Sequence, residues 1–426
     1  MIGCVKSVEV FYFNLSGGLS QTLTLTKGQD VNNCVPFVTY QSSTGSGNAS
    51  RWRVDVYFPN STQIKLERGE AADNVAGRIF IVEFDPNKVR VQQGSFTCVD
   101  ENVRPQTTDV ALAQTVDTSK AAVIAHYRTS LTGVNNWDTH SLRVYLSASN
   151  FSVRRYEGDD TALYGHYYVF ESLTGNFTVQ QINLTFGGSD TLISDTITTV
   201  NENKSFILST VYTTNNGTNF GYSTFDAKLT GGGSSVEGER ALAGAYTVVG
   251  FFIIEFHDDT TVRHGDISFG SGDTQDDSTI LEVDTNYASV IPTSSVGTVR
   301  INSTIAQLGL CDEYLSSSTN FRALRNTTGT AAEGRYQVVE FSQAPGYYVG
   351  GYVMEEETPV VRTVRSYRRD TGAFLNETTS SGINGYFYLE TTYSGEQYVV
   401  CIDDDAGLVY NALIYDLIIP TTVSGG

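Results

Sequence analysis

Four strand-like apolar runs in this chain close on a glutamate at nearly even intervals: IFIVEF at Ile79–Phe84, YYVFE at Tyr167–Glu171, FFIIEF at Phe251–Phe256 and YQVVEF at Tyr336–Phe341. The glutamates, Glu83, Glu171, Glu255 and Glu340, are spaced by 88, 84 and 85 residues (171 − 83, 255 − 171, 340 − 255). A period of that size is one small domain per copy and too long for a solenoid rung. A second element keeps the same beat. KGQDVNNCVPF (27–37), DTSKAAVI (117–124), NENKSFIL (201–208) and DTNYASVI (284–291) each place a polar loop before an apolar segment.

The 426 residues therefore divide into four repeats, 1–88, 89–176, 177–260 and 261–345, and a remainder, 346–426. With 40 glycines, 25 tyrosines and 22 phenylalanines against 2 methionines, the composition fits short strands, tight turns and aromatic packing. In the third copy the candidate strands are 180–186, 191–200, 204–213, 222–229, 235–242 and 246–256. Six strands in about 85 residues make a small sandwich or barrel. The predicted fold class is all-β: a tandem array of four related β-sandwich or barrel domains plus a C-terminal β-sandwich. The last strand of each copy is apolar on both faces, which predicts a central position in its sheet.

A carboxylate inside such a run is costly to bury alone. Arg68, Arg240 and Arg325 lie fifteen residues before Glu83, Glu255 and Glu340, and Arg155 lies sixteen before Glu171. If each arginine and glutamate occupy adjacent strands of a hairpin, they form cross-strand ion pairs. The alternative places each glutamate in solvent.

The balance of 47 acidic and 27 basic residues gives a net charge of −20, which disfavours nucleic acid and anionic membranes as partners. The five cysteines (Cys4, Cys34, Cys98, Cys311, Cys401) are scattered without a C-x-x-C spacing and read as buried thiols. The first residues read as a strand, not a secretion signal, and no apolar run approaches the length of a membrane span.

Motifs of catalysis are absent from the sequence: no G-x-S-x-G, no phosphate loop, no H-E-x-x-H and no G-x-G-x-x-G. Histidines 126, 140, 166, 257 and 264 fall in the second and third copies and at the start of the fourth, with His126 and His166 in strands that could approach. Ordinary packing explains them better than a metal. Acidic loops at 157–160, 257–259, 273–277 and 403–405 offer oxygen ligands but match no calcium-loop spacing. No cofactor is expected.

From Thr358 to Pro420 the period breaks. The elements R-S-Y-R-R-D-T-G, N-G-Y-F and Y-V-V-C-I-D-D-D resemble the transthyretin-like or carboxypeptidase-regulatory-like β-sandwich module, in the version carried by structural proteins of tailed bacteriophages. The upstream segments L-T-K-G-Q-D-V-N-N-C-V-P-F and V-E-F-D-P-N-K-V-R-V-Q-Q-G-S-F also resemble phage virion proteins. The resemblance implies no catalytic residues. It implies a non-enzymatic decoration protein or fibre-like appendage on the virion exterior, with capsid or tail proteins and further copies of itself, in a trimer, as partners. Arg362, Arg365, Arg368 and Arg369 lie on one stretch of this module, either as a docking strand for an acidic partner or as a charged edge strand. The competing function is a carbohydrate-binding or polysaccharide-degrading appendage contacting host-surface carbohydrate. Its stacking platforms would be Trp137, Tyr164, Phe220, Tyr347 and Tyr348, and its catalytic pair, if any, two of the 47 acids.

Overall fold

The computed structural model describes residues 3–43, 49–71, 74–99, 105–129, 141–156, 162–214, 220–222, 224–293, 299–301, 309–342, 347–391, 393, 395–402 and 413–422. Among them there is no α-helix, only strands and short 3-10 turns. The chain forms two compact units that meet between Ser342 and Gln343.

The first unit holds the four repeats. Repeat one comprises β1 (Val5–Asn14), β2 (Ser20–Thr24), β3 (Cys34–Ser42), β4 (Asp55–Asn60), β5 (Gln63–Glu67) and β6 (Val75–Phe84). Repeat two comprises β7 (Val89–Cys98), β8 (Gln106–Ala111), β9 (Ala121–Thr129), β10 (Arg143–Leu146), β11 (Asn150–Arg155) and β12 (Leu163–Ser172). Repeat three has β13 (Phe177–Phe186), β14 (Leu192–Thr196), β15 (Ser205–Thr213), β16 (Asp226–Thr230), β17 (Ser235–Glu239) and β18 (Thr247–Phe256). Repeat four has β19 (Thr261–Phe269), β20 (Gln275–Thr279), β21 (Ala288–Val290), β22 (Arg300–Ile301), β23 (Asp312–Ser317), β24 (Asn320–Leu324) and β25 (Ala332–Glu340).

Every repeat has one topology, two antiparallel three-stranded sheets. One takes the first, last and third strands in the orders β1-β6-β3, β7-β12-β9, β13-β18-β15 and β19-β25-β21, the last also pairing β22. The other takes the second strand and the two that precede the last, as β2-β5-β4, β8-β11-β10, β14-β17-β16 and β20-β24-β23. The doubly apolar strand is central, as its pattern predicts. Only the glutamate and one other residue of β6 escape full burial.

The second face of that strand is buried by the neighbouring repeat, so the repeats do not stand in an elongated row. Each copy docks on the next: Tyr168 Oη donates to Val56 O (3.1 Å), Val144 N to Thr210 Oγ1 (3.0 Å), and Gln337 exchanges bonds with Ile207 through Oε1 (2.7 Å) and Nε2 (2.8 Å). The fourth copy then reaches the first, where Thr39 Oγ1 donates to Glu313 O (2.9 Å). The four repeats close a ring. Its interior carries an aromatic chain from Phe84 through Phe170, Phe177 and Phe256 to Phe341, with centroids 5.6–5.9 Å apart. All four copies thus contribute to one continuous hydrophobic core, and repeat three keeps a second cluster around Phe186, Phe225 and Phe251.

The second unit contains β26 (Tyr347–Tyr352), β27 (Met354–Glu355), β28 (Thr358–Pro359), β29 (Thr363–Arg368), β30 (Phe374–Thr379), β31 (Tyr386–Thr391), β32 (Gln397–Ile402), β33 (Leu413–Ile418) and β34 (Thr421–Thr422). Sheets β31-β26-β34 and β30-β29-β32-β33 enclose a small core of Val349, Val364, Phe387, Leu389, Val399 and Cys401. Gly372 and Gly385, in the two turns marked by the sequence, hold positive φ of 70° and 69°.

Candidate functional site

The repeated glutamate and the repeated arginine do not pair. The fifth and last strands of each copy belong to different sheets, so the hairpin that would join Arg68 to Glu83, Arg155 to Glu171, Arg240 to Glu255 and Arg325 to Glu340 does not form. Each glutamate instead accepts a backbone N–H through Oε1: Glu83 from Asp30 (3.3 Å), Glu171 from Asp117 (2.8 Å), Glu255 from Asn201 (2.8 Å) and Glu340 from Asp284 (2.7 Å). Those four residues open the second periodic element, where each side chain accepts the amide two residues on at 2.9–3.1 Å. The glutamate therefore pins an Asx turn to the centre of the sheet. In copies two and four Arg90 and Arg263 also pair with it.

The arginines are almost wholly buried and cap carbonyls. Arg240 donates to Asp190 O, Ala245 O and Gly187 O at 2.8–2.9 Å, and Arg325 to Asp273 O, Thr330 O and Gly270 O at 2.6–2.8 Å. Arg68 does the same for Gly18, Arg51 and Leu15, while Arg155 reaches Gln106 Oε1. A fork of N–H donors satisfies several loop carbonyls that would otherwise be buried unpaired.

Sequence reasoning missed the charged residues at the seams of the ring. The residue opening β4, β10, β16 or β23 is Asp55, Arg143, Asp226 or Asp312, and it faces the position five before the glutamate of the next copy: His166, Gly250, Arg335 or Arg78. At seam one–two, Asp55 Oδ2 lies 2.9 Å from His166 Nδ1, and Tyr57 stacks on the imidazole at 4.2 Å. A pocket of about 210 Å³ opens there, lined by Tyr57, Phe58, Gln93, Gly94, Ser95, His166 and Tyr168. At seam four–one, Asp312 pairs with Arg78, whose guanidinium lies over the Tyr314 ring. At seam three–four, Arg300 gathers Asp226, Glu239 and Glu333. Burial pushes the Asp226 carboxyl up to about 6 against the pull of Arg300. The signal was present in the same beat: Asp55 and Asp312 lie 28 residues before their glutamates (83 − 55, 340 − 312).

His126 faces His166 across β9 and β12, yet its Nε2 meets Pro36 O of repeat one at 2.9 Å, which makes it a donor to a carbonyl. Complete burial pushes its pKa down to about 4. Among the described residues no three His, Cys, Asp or Glu cluster as a metal site. Asp258, Asp273 and Asp276 accept backbone N–H groups and Asp277 pairs with Arg322; the acidic loops 157–160 and 403–405 and His140 lie outside the described residues. All five cysteines are buried thiols.

In the second unit the arginine stretch is not an edge. β29 runs between β30 and β32, and the arginines on and beside it are neutralised within the unit: Arg362 by Glu355, Arg365 by Glu377, Arg368 by Asp370, and Arg369 by Glu396 and Asp416. What the unit does present is apolar. Of the twenty exposed large apolar side chains among the described residues, eleven belong to it, including Ile383 (92 % exposed), Ile419, Ile414 and Leu417. Of the proposed stacking residues, Trp137 lies outside the described residues, as does the side chain of Phe220. Tyr164 is on a strand rather than a loop. Tyr347 and Tyr348 begin β26, and Tyr348 stacks on Tyr388 at 5.1 Å.

No family model matches this sequence. No curated protein matches it. Among solved structures, the pilus backbone RrgB of Streptococcus pneumoniae aligns at 7 % identity and a TM-score of 0.15 over 90 % of this chain and 93 % of that one. A trimeric ectodomain of the Caenorhabditis elegans fusion protein EFF-1 aligns at 6 % identity and a TM-score of 0.11, over 100 % of this chain and 98 % of that one.

Proposed function

We propose that the chain is a non-enzymatic structural component of a tailed-phage virion, exposed on the exterior as a decoration protein or fibre-like appendage. The reading is carried by the contrast between its two units. The ring satisfies its apolar strands and most seam charges internally, whereas the C-terminal unit leaves large apolar side chains in solvent and an apolar strand, β33, at a sheet edge. Apolar patches and open edges of this kind mark contact surfaces. The body is a self-contained spacer and the terminal module is the part that touches capsid, tail or a further copy of the chain, in a trimer. The sequence resemblance to virion proteins supplies the setting. A density map of the assembled particle tests it: the ring is expected outside the shell or tail, and particles lacking the protein on their exterior would refute the reading.

One observation favours carbohydrate contact as a second reading. Tyr348 and Tyr352 of β26 and Tyr386 and Tyr388 of β31 form a strip in which Tyr348 stacks on Tyr388 at 5.1 Å and Tyr352 meets Tyr386 with its ring tilted by 60°, at 5.3 Å. Such a strip offers faces for sugar rings. Loss of retention on host polysaccharide in Tyr352→Ala and Tyr388→Ala variants would favour it.

A further inference from the structure

Three of the four seams place a carboxylate at the start of the docking strand, opposite a cationic or titratable side chain of the next copy. The seam between repeats two and three inverts this. Arg143 stands where Asp55, Asp226 and Asp312 stand elsewhere, and Gly250 stands where His166, Arg335 and Arg78 do. The absent side chain makes room for the arginine, since a Cβ on Gly250 would lie 3.1 Å from Arg143 Cγ.

Among the described residues no carboxylate answers it. Arg143 is only 7 % exposed, and its Nε is enclosed without a hydrogen-bond partner. Its cross-strand neighbour Arg154 is in the same condition at Nε. Both guanidinium groups lie 5.7 Å from the Tyr212 ring, and Arg143 lies 5.2 Å from Tyr145. Among the described residues neither forms an ion pair, in a protein of net charge −20 whose Arg78, Arg300 and Arg335 pair with acids. Burial without a counter-charge weakens the hold of Arg143 on its proton, with Arg154 adding to the effect. Two adjacent cations with unfilled donors, one of them deeply buried, are a costly arrangement unless an anion completes them.

We propose that the seam between repeats two and three is a binding site for an oxyanion, a carboxylate or phosphate group held by Arg143 and Arg154. Planar guanidinium forks match such groups bidentately. Ring contacts with Tyr212 and Tyr145 hold the two forks in place before the anion arrives. The site is independent of the virion reading.

Titration calorimetry of the full chain with acetate, inorganic phosphate and oligogalacturonate, at fixed ionic strength, tests it. Saturable binding of at least one is expected. Binding should fall about tenfold in Arg154→Gln and below detection in Arg143→Gln, as loss of charge-assisted bonds implies. A preference for the oligomer over acetate identifies a polymer as the source, and a preference for phosphate a small ion. Arg154 is part-exposed, so its variant decides the matter should Arg143→Gln fail to fold. Arg322→Gln, at a distant exposed pair, should bind as wild type. No saturable heat with any of the three anions, or equal binding by wild type and Arg154→Gln, overturns the proposal.

Discussion

Arg78 of the first repeat forms an ion pair with Asp312 of the fourth, 234 residues away in sequence, and so closes the ring of repeats. The Asp312 side chain is 2 % exposed, so removing its partner leaves an enclosed carboxylate without a counter-charge. Arg78→Met is expected to destabilise the first unit by about 3–5 kcal/mol. Denaturant unfolding followed by intrinsic fluorescence measures this, and a loss under about 1 kcal/mol would show that the seam does not depend on the pair.

Arg240 and Arg325 hold three carbonyls each, so truncation exposes a different weakness. Arg325→Met is expected to cost about 3 kcal/mol or more through unsatisfied buried acceptors. Arg325→Lys should recover little of it, because a single ammonium cannot reproduce the planar fork. The chemical-denaturation midpoints of both variants give the comparison.

Glu255 contrasts with them. Glu255→Gln keeps an oxygen facing the Asn201 amide and is expected to change stability by less than about 1 kcal/mol, whereas Glu255→Ala should cost about 1–2 kcal/mol. Equal losses for the two variants would mean that charge, rather than the hydrogen bond, is what the position supplies.

His126 makes the ring acid-sensitive. Its folded pKa is pushed down to about 4 from the ordinary 6.5, so between these pH values the unfolded chain binds a proton that the folded chain refuses. Its contribution to stability is complete above about 6.5 and is lost as pH falls toward 4, by roughly 3 kcal/mol. Asp226, raised to about 6, acts with the opposite sign over much of that window. The informative measurement is therefore the difference between wild type and His126→Gln from pH 7 to 4.5, which should narrow on acidification.

The strand content and the six-strand pattern were legible because they rest on local signals: alternation, turn residues and a periodic motif. In the third copy the expected strands overlap the observed ones throughout. The pairing of strands was not legible. Consecutive fifth and sixth strands invite a hairpin, but here they enter different sheets, and the Arg–Glu pairing failed with that assumption. Both partners of the true contact, the glutamate and the Asp30-type loop, had been recognised as periodic, but only coordinates show that they touch. The arginine stretch at 362–369 misled for a related reason, since its carboxylate partners are spread from Glu355 to Asp416.

Closure also constrains how many copies such a chain can carry. An open stack tolerates the gain or loss of a unit at either end, because each unit needs only its neighbours. Here the last unit must meet the first through Asp312 and Arg78, and the four together share the aromatic interior that ends on Phe84 and Phe341. Insertion or deletion of one 85-residue segment would alter the angle at every junction at once. The number four is therefore fixed by geometry, and length variation among chains built on this plan is expected in the surface loops and in the terminal module rather than in the repeat count.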